Sequence, residues 1–466
     1  MTGTFASFNT ALSALRYQQI AMDVASNNVA NATTEGFVRR RAEAVTVGAP
    51  TQTSMWSRSS SSGDGVGLGS LQRIVDPFLD LRSRREHGKQ AFLDTRVTVL
   101  SRVESGVGEP GKSGVSAAMD SFSAAWDDLG NHPDTAASRS QVIATGVAVA
   151  DALRAQSSNL TSELSDQRNH LMNLADEVSA TAADLAAINR NLAAAQFEGT
   201  GTNDLLDQRD LLTLRLSELT GAVGTERPDG GMDVTVNGVS LVSGSTAGQV
   251  TVISGVAPDG SSDGAPLSLG ITVGATTTPL ANAAWGGQIG AVAELVTITL
   301  PDYLAGLDAV AKTVADSVNS LHTGGYDADG NPGVAFFTYD PAAGAAASLR
   351  VALTDPDQVA ASSLPGGVLD GGNADALAEA DGAASAYQRL VNGLGSTVQS
   401  ATRLAQTQQL LTTQVDSSRE QLTGVNLDEE TINLLVAQRS YEAASKVMSV
   451  LDSVLDTLIN RTGVTR

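Results

Sequence analysis

The sequence predicts a mainly α-helical protein with a β-rich insertion: a long-helix bundle or coiled-coil rod formed by both chain ends, with a β domain displayed outward. Three observations predict it. Apolar residues recur at alternating three- and four-residue spacing over long stretches at both ends. Between them the texture changes to Gly, Thr, Ser and Val. Acidic charge gathers in that middle region, where residues 196–384 carry 5 basic and 23 acidic side chains, while the flanks are close to neutral.

The elements follow in order. Phe5, Phe8, Leu12, Leu15, Gln19, Met22, Ser26 and Val29 lay a mostly apolar stripe along one helical face. The run Ser57–Gly63 reads as a flexible Ser-rich loop, and the alternating Gly63, Gly65, Gly67 and Gly69 also read as loop. Leu153, Ser157, Leu160, Leu164, Gln167, Leu171, Leu174, Val178, Thr181, Leu185, Ile188 and Leu192 keep a 3.5-residue period. At 1.5 Å per residue that helix is roughly 60 Å long. Its expected neighbour carries Leu394, Val398, Ala401, Leu404, Leu411, Val415 and Leu422.

Asn203 starts a further helix that Gly221 closes. The alternation over Met232–Val236, followed by Asn237-Gly238, predicts a β-hairpin within a β texture that extends to about residue 300. Pro301 opens another helix to about Leu321; residues 326–386 are turn-rich, with short strands expected at Phe336-Phe337 and Leu349–Val351. At the C-terminal end Leu434, Ala437, Tyr441, Ala444, Met448, Leu451, Leu455 and Leu458 form a second stripe. Three units are expected: residues 1–45 with 424–466 as terminal helices, 46–220 with 301–423 as a long-helix bundle, and 221–300 as the β insertion. Narrow stripes at the two ends have little other chain to pack against, so they are assigned to burial against neighbouring subunits.

Composition narrows the function. Aromatic residues make up 4% of the chain, so burial is expected to come from Ala, Leu and Val along extended elements rather than from an aromatic core. Zero cysteines exclude disulfides and thiolate chemistry. His87, His132, His170 and His322 stand far apart in sequence and read as surface or incidental residues, so no metal or cofactor site is expected. A formal charge of −22 disfavours nucleic acid and anionic lipid. No run of 18 apolar residues suggests a membrane span, and the start of the chain lacks a secretory signal pattern.

Two motifs suggest chemistry. Gly106–Ser113 matches the phosphate-loop pattern G-x-x-x-x-G-K-S, in which backbone amides, Lys112 and Ser113 would cradle phosphate and magnesium. The preceding segment reads as helix rather than buried strand, so a linker is the expected structure and a nucleotide hydrolase the remote alternative. Asp327–Asn331 resembles the start of a calcium loop, but Pro332 and Thr338 occupy the positions that need Gly and Glu; a turn is expected. Asn31-Ala32-Thr33 and Asn159-Leu160-Thr161 are treated as chance glycosylation matches.

Leu12–Leu15 with Ala25–Phe37, and Gly424–Glu430 running into Leu434–Ala443, resemble the paired signatures of bacterial flagellar rod, hook and hook-associated proteins. Leu205–Asp210, Asp229–Gly231, Gly238–Gly244, Gly324–Asp327 and Gly372–Ala378 narrow the resemblance to the first hook-associated family, with another axial protein, hook or distal rod, as the alternative. Glu35 and Phe37 stand where the family has Pro and Tyr, a departure expected to loosen the loop.

The resemblance implies a structural subunit, not an enzyme, that joins hook to filament outside the cell. It implies export through the type III apparatus, and copies of the chain, the hook protein, the second junction protein and an export chaperone on the C-terminal helices as partners. On this reading the assembly interface comprises Phe5, Phe8, Leu12, Leu15, Met22, Asn27, Asn28, Ala30, Asn31, Gly36, Phe37, Asn426, Leu427, Leu434, Tyr441, Met448, Leu451, Leu455 and Leu458.

Overall fold

The structure is a computed structural model that describes residues 2–47, 65–111, 114–367 and 369–460, with side chains between residues 7 and 457. Lys112, Ser113 and the Ser57–Gly63 run lie outside the described residues. The chain begins with helix α1 (Thr2–Ala30), then an antiparallel hairpin of β1 (Arg40–Thr46) and β2 (Val66–Arg73). Residues 40–45 are therefore strand where the sequence reading continued the terminal helical unit, and Gly67 and Gly69 lie in β2 rather than in a loop. Both glycines are needed for close cross-strand packing: a Cβ at Gly69 would collide with the Val45 side chain.

Helix α2 (Pro77–Val107) starts where Asp76 accepts hydrogen bonds from the amides of Phe78 (2.8 Å) and Leu79 (3.2 Å), with Pro77 pre-set for the first turn. It ends at Gly108 in the left-handed conformation. After α3 (Val115–Asn131), helix α4 (Ala136–Glu198) runs 63 residues, about 95 Å. It exceeds the expected length because Ser138, Val142, Thr145 and Val149 continue the buried stripe towards the N-terminus. Helix α5 (Asn203–Thr220) returns antiparallel and stops at Gly221.

Seven strands follow: β3 (Val223–Glu226), β4 (Met232–Val236), β5 (Val239–Ser243), β6 (Thr246–Ala247), β7 (Gln249–Ser254), β8 (Ser268–Val273) and β9 (Thr276–Leu280). They form sheets ordered β3-β4-β5-β6 and β7-β8-β9. Asn237 and Gly238 turn the β4–β5 hairpin with φ of 46° and 84°, the pair of positive angles that this turn requires. The expected β stretch ends early: α6 (Gly287–Glu294), a π-helical turn over Leu295–Thr299 and α7 (Leu300–His322) make one continuous helical path. By length and composition alone this path matches a membrane-crossing helix, although Glu294 and Asp302 interrupt it and no run of 18 apolar residues occurs in it. Half of its most apolar stretch is buried, with Leu295, Leu300 and Tyr303 packed into the protein's own core.

The chain continues through β10 (Phe337–Thr338), α8 (Ala345–Ser348), β11 (Arg350–Val351), α9 (Gly372–Ala378), α10 (Gly382–Thr423) and α11 (Leu427–Asn460). Strands β10 and β11 pair antiparallel. The chief neighbours of α10 are α2 and α7 rather than the long helix α4. Leu404, Leu411 and Leu422 are exposed as a result, while Ala405, Gln408 and Thr412 turn inward.

Three apolar clusters hold the fold. One joins α3, α4, α7 and the β10–β11 region, and it contradicts the expectation of a core without aromatics. Phe122, Trp126, Phe336 and Phe337 pack edge-on or tilted at centroid separations of 4.8–5.9 Å, with the ring of His322 beside them. Few aromatic residues suffice because they are gathered in one place. The second cluster packs α4, α5 and α6 against the two sheets, and the third joins α2, α4, α7 and α10.

Candidate functional site

Helices α1 and α11 pack along one another, so the two apolar stripes meet within a single chain. Ala11 and Ala25 on α1 and Ala437 on α11 are buried, and their small side chains let the helices approach closely. Phe8, Leu12, Leu15 and Met22 are half-buried against Leu434, Met448, Leu451 and Leu455. Tyr441 remains 38% exposed, and Asn27, Ala30, Asn426 and Leu427 face solvent. The side chains of Phe5 and Leu458 lie outside the described residues.

A second apolar face of α11 escaped the sequence reading. Ile432 and Val436, and then Val447, Val450 and Val454, keep three-four spacing within each group beside the first stripe, with Arg439, Ser440 and Ala443 between the groups, and each of the five is more than 40% exposed. The signal was present in the sequence but was masked by the stronger stripe beside it.

The two signature segments converge at the root of this helix pair. Asn28, buried, donates from Nδ2 to the Arg40 carbonyl (2.8 Å) and to Glu430 Oε2 (3.0 Å), and its Oδ1 accepts the Arg40 amide (3.1 Å). Arg39 closes the clamp on Glu430 Oε1 at 2.7 Å and on Glu429 at 2.9 Å. Asn426 caps α11 by accepting the Asp428 amide at 3.0 Å, and three acids in the first turn favour the helix dipole.

Between Asn28 and Arg39 the chain turns at Thr34–Phe37. The Phe37 amide donates to the Thr34 carbonyl at 3.2 Å, and Gly36 supplies φ = 78°, so the turn closes with Glu35 in place of the family proline. Asn31 donates to the Asn27 carbonyl at 3.0 Å, and the Phe37 ring lies 4.9 Å beneath the Arg40 guanidinium.

The Leu205–Asp210 segment, identified as a family signature within the helix that starts at Asn203, joins Asp204 as the anchor for the β1–β2 hairpin. Arg40 pairs with Asp204 and with Asp207 (2.9 Å); Arg73 bridges Asp207 and Asp210, both at 2.8 Å. Arg209 holds the reverse side through Asp210, Glu226 and the Gly230 carbonyl. Burial raises the Asp207 carboxyl despite its two arginines, whereas at Asp210 the charges of Arg209 and Arg73 outweigh burial and lower it. The sequence offered no means of pairing these groups, which are separated by 134 to 167 residues.

Two histidines are structural rather than incidental. His87 bridges Asp416 on α10 (2.9 Å) and Glu218 on α5 (3.5 Å), which raise its pKa, Glu218 foremost, against the opposing effect of burial. His322 is fully buried; its Nδ1 faces the Val334 carbonyl at 2.5 Å and its Nε2 accepts the Ala360 amide at 2.9 Å, a neutral tautomer that burial favours by lowering the pKa.

Neither enzymatic motif has the setting its chemistry needs. Gly106 and Val107 form the end of helix α2, and Glu109 folds back to accept the Ser116 amide at 3.0 Å at the start of α3. Asp327 spends its carboxylate on the amides of Asp329 (3.0 Å) and Asn331 (2.8 Å) within its own turn. Among the described residues no three His, Cys, Asp or Glu side chains gather in a way that could hold a metal ion.

The family profile for the flagellar hook-associated protein FlgK helical domain matches residues 100–337. A flagella basal body rod profile matches residues 8–37, and the flagellar basal body rod FlgEFG C-terminal profile matches 421–461, the two segments that meet at Asn28 and Glu430. The chain is 30% identical to flagellar hook-associated protein 1 of Bacillus subtilis over 100% of its own length and 99% of that protein. It is 23% identical to the Escherichia coli protein of the same name, covering 97% of this chain and 99% of the other. The flagellar hook junction protein FlgK from Burkholderia pseudomallei shares the fold over 56% of this chain and 46% of its own, with a TM-score of 0.50 and 24% identity. Full-length similarity and a helical-domain match over half the chain lead to one conclusion: the protein belongs to the flagellar hook-associated protein 1 family.

Proposed function

We propose that the chain is a structural subunit of the flagellar hook–filament junction, built into the axial polymer through the α1–α11 pair. The observation that carries the reading is the second apolar face of α11, exposed along a helix whose first face α1 already covers. A helix apolar on two faces is stable in water only when the second is also covered. Stacking with equivalent pairs of neighbouring copies covers it, and a head-to-tail contact that does not close gives an open axial polymer. Hook protein contacts one end of the ring and the second junction protein the other.

The same exposed face supports passage through the type III export apparatus with a chaperone over α11, because the uncovered valines would aggregate in the cytosol. Absence of cysteine suits a chain that stays extended until it folds at the tip. The role is structural; Lys112→Ala leaves motility unchanged on this reading.

The test is filament retention in a deletion strain complemented with the full chain or with a chain ending at Gly424. Restoration by the full chain, with flagellin secreted but unassembled for the shortened one, supports the junction role. Normal filaments in the uncomplemented deletion strain overturn it.

A further inference from the structure

Away from the terminal pair, a groove of 580 Å³ opens between α2 and the start of β3. Its floor is apolar, with Leu81, Phe92, Leu93 and Val223, and Arg84 and Arg85 stand at its edge. Leu81 and Val223 are 44% and 52% exposed, so the groove is an unfilled apolar surface. Gly221, Gly286 and Gly287 let it cut close to the backbone: a Cβ at Gly221 would lie 2.7 Å from the Gly286 Cα.

The cation at its edge is unusual. Arg84 Nε is buried without a hydrogen-bond partner. Asp210 and Asp80 offset part of the cost of burying this guanidinium without hydrogen-bonding to it, and the neighbouring Arg85 is 66% exposed with only a 3.5 Å contact to Glu86, so the pair retains capacity for a further carboxylate. The acidic chain as a whole makes a basic rim around an apolar floor a specific feature rather than a surface average.

The matching shape lies elsewhere on the same molecule. Phe197 is 94% exposed at the last turn of α4, and Glu198 beside it is exposed and has no ion pair among the described residues. The corner they crown is unencumbered: nothing lies within 4 Å of where a Cβ would stand at Gly199 or Gly201. A single chain cannot make the contact itself. The corner precedes the first residue of α5 and the groove flanks its last, about 27 Å apart along that helix.

We propose that the groove receives the Phe197–Glu198 corner of a second copy, with the ring on Leu81, Phe92 and Val223 and the carboxylate on Arg84 and Arg85. Knob and groove are different surfaces, so the contact is heterologous and propagates from copy to copy, as a ring or helical polymer requires. It rests on the reading of the chain as a polymer subunit and adds a contact outside the terminal helices.

The cysteine-free chain allows a direct test. The double variant Arg85→Cys with Glu198→Cys is expressed in the deletion strain, and its flagella are isolated and oxidised. A ladder of cross-linked multiples of this chain is expected, with neither single variant giving it. Retained filaments without a ladder overturn the contact, as does Arg85→Cys joined to a different protein. Absence of the wild-type chain from isolated flagella is a separate outcome that overturns the junction reading itself. Should the double variant fail to assemble, Phe197→Ser decides. Its side chain has almost no packing to lose in the monomer, so thermal unfolding stays unchanged while self-association of the purified chain weakens about tenfold. Unchanged self-association overturns the proposal.

Discussion

Asn28 and Glu430 stand 402 residues apart in the chain and share a buried hydrogen bond of 3.0 Å. Through it the end of α1 and the first turn of α11 become one structural corner, and Arg39 is drawn in as the balancing charge. Glu430 is 2% exposed, so its carboxylate relies on these partners rather than on water.

Replacing Glu430 with Gln should cost about 2–3 kcal/mol, somewhat below a fully buried pair because Arg39 retains Glu429 and partial solvent access. Thermal unfolding of the purified chain gives the loss. Limited proteolysis should show earlier cleavage near residue 425, and an unchanged cleavage pattern would show that the corner does not hold the helices together.

Asp207→Ala leaves the side chains of Arg40 and Arg73, 11% and 6% exposed, without their shared carboxylate. A destabilisation of about 3 kcal/mol is expected, concentrated in the β1–β2 hairpin. Hydrogen exchange should rise in residues 40–46 and 66–73 while the α3–α4 core stays protected.

The two structural histidines oppose each other across pH 6.5, their ordinary value. His87 has a raised pKa in the folded chain, so its contribution is complete below about 6.5 and is lost as pH climbs through the folded value. His322 has a lowered one, so its contribution is complete above about 6.5 and is lost as pH falls below that point. Melting temperature measured from about pH 5 to 8 should flatten on its alkaline limb in His87→Gln and on its acid limb in His322→Gln. Parallel curves for wild type and both variants would refute the assignment.

Gly146→Ala should destabilise by about 1–3 kcal/mol although Ala is the better helix former. The added methyl would lie 2.7 Å from Phe336 and 3.2 Å from Phe122, inside the aromatic cluster. Calorimetry of the variant beside Gly393→Ala, where nothing lies within 4 Å, separates crowding from helix propensity.

What could be read from sequence was local and periodic. The α4 stripe, the Asn237-Gly238 turn and the Gly221 stop each depend on residues within a few positions of one another. The aromatic cluster could not be read, because Phe122 and Phe336 meet only after α7 has folded back on α3 and α4. The same holds for the site. Asn28 and Glu430 were each found as parts of a signature, but their pairing, and the use of Asp207 as an anchor for Arg40 and Arg73, are products of tertiary structure. The β1–β2 hairpin was missed because alternating glycines mimic a loop until a partner strand supplies the reason for them.

Helix α4 threads all three apolar clusters in sequence order: Val142–Leu153 serve the first, Leu160 and Leu164 the third, and Leu171–Ala186 the second. The clusters are therefore connected in series along one rigid strut, not merely adjacent. Twist or tension applied at one cluster reaches the next through an unbroken backbone ladder, with no flexible linker in which to dissipate. A structural subunit built this way carries strain from one cluster to the next along a single helix.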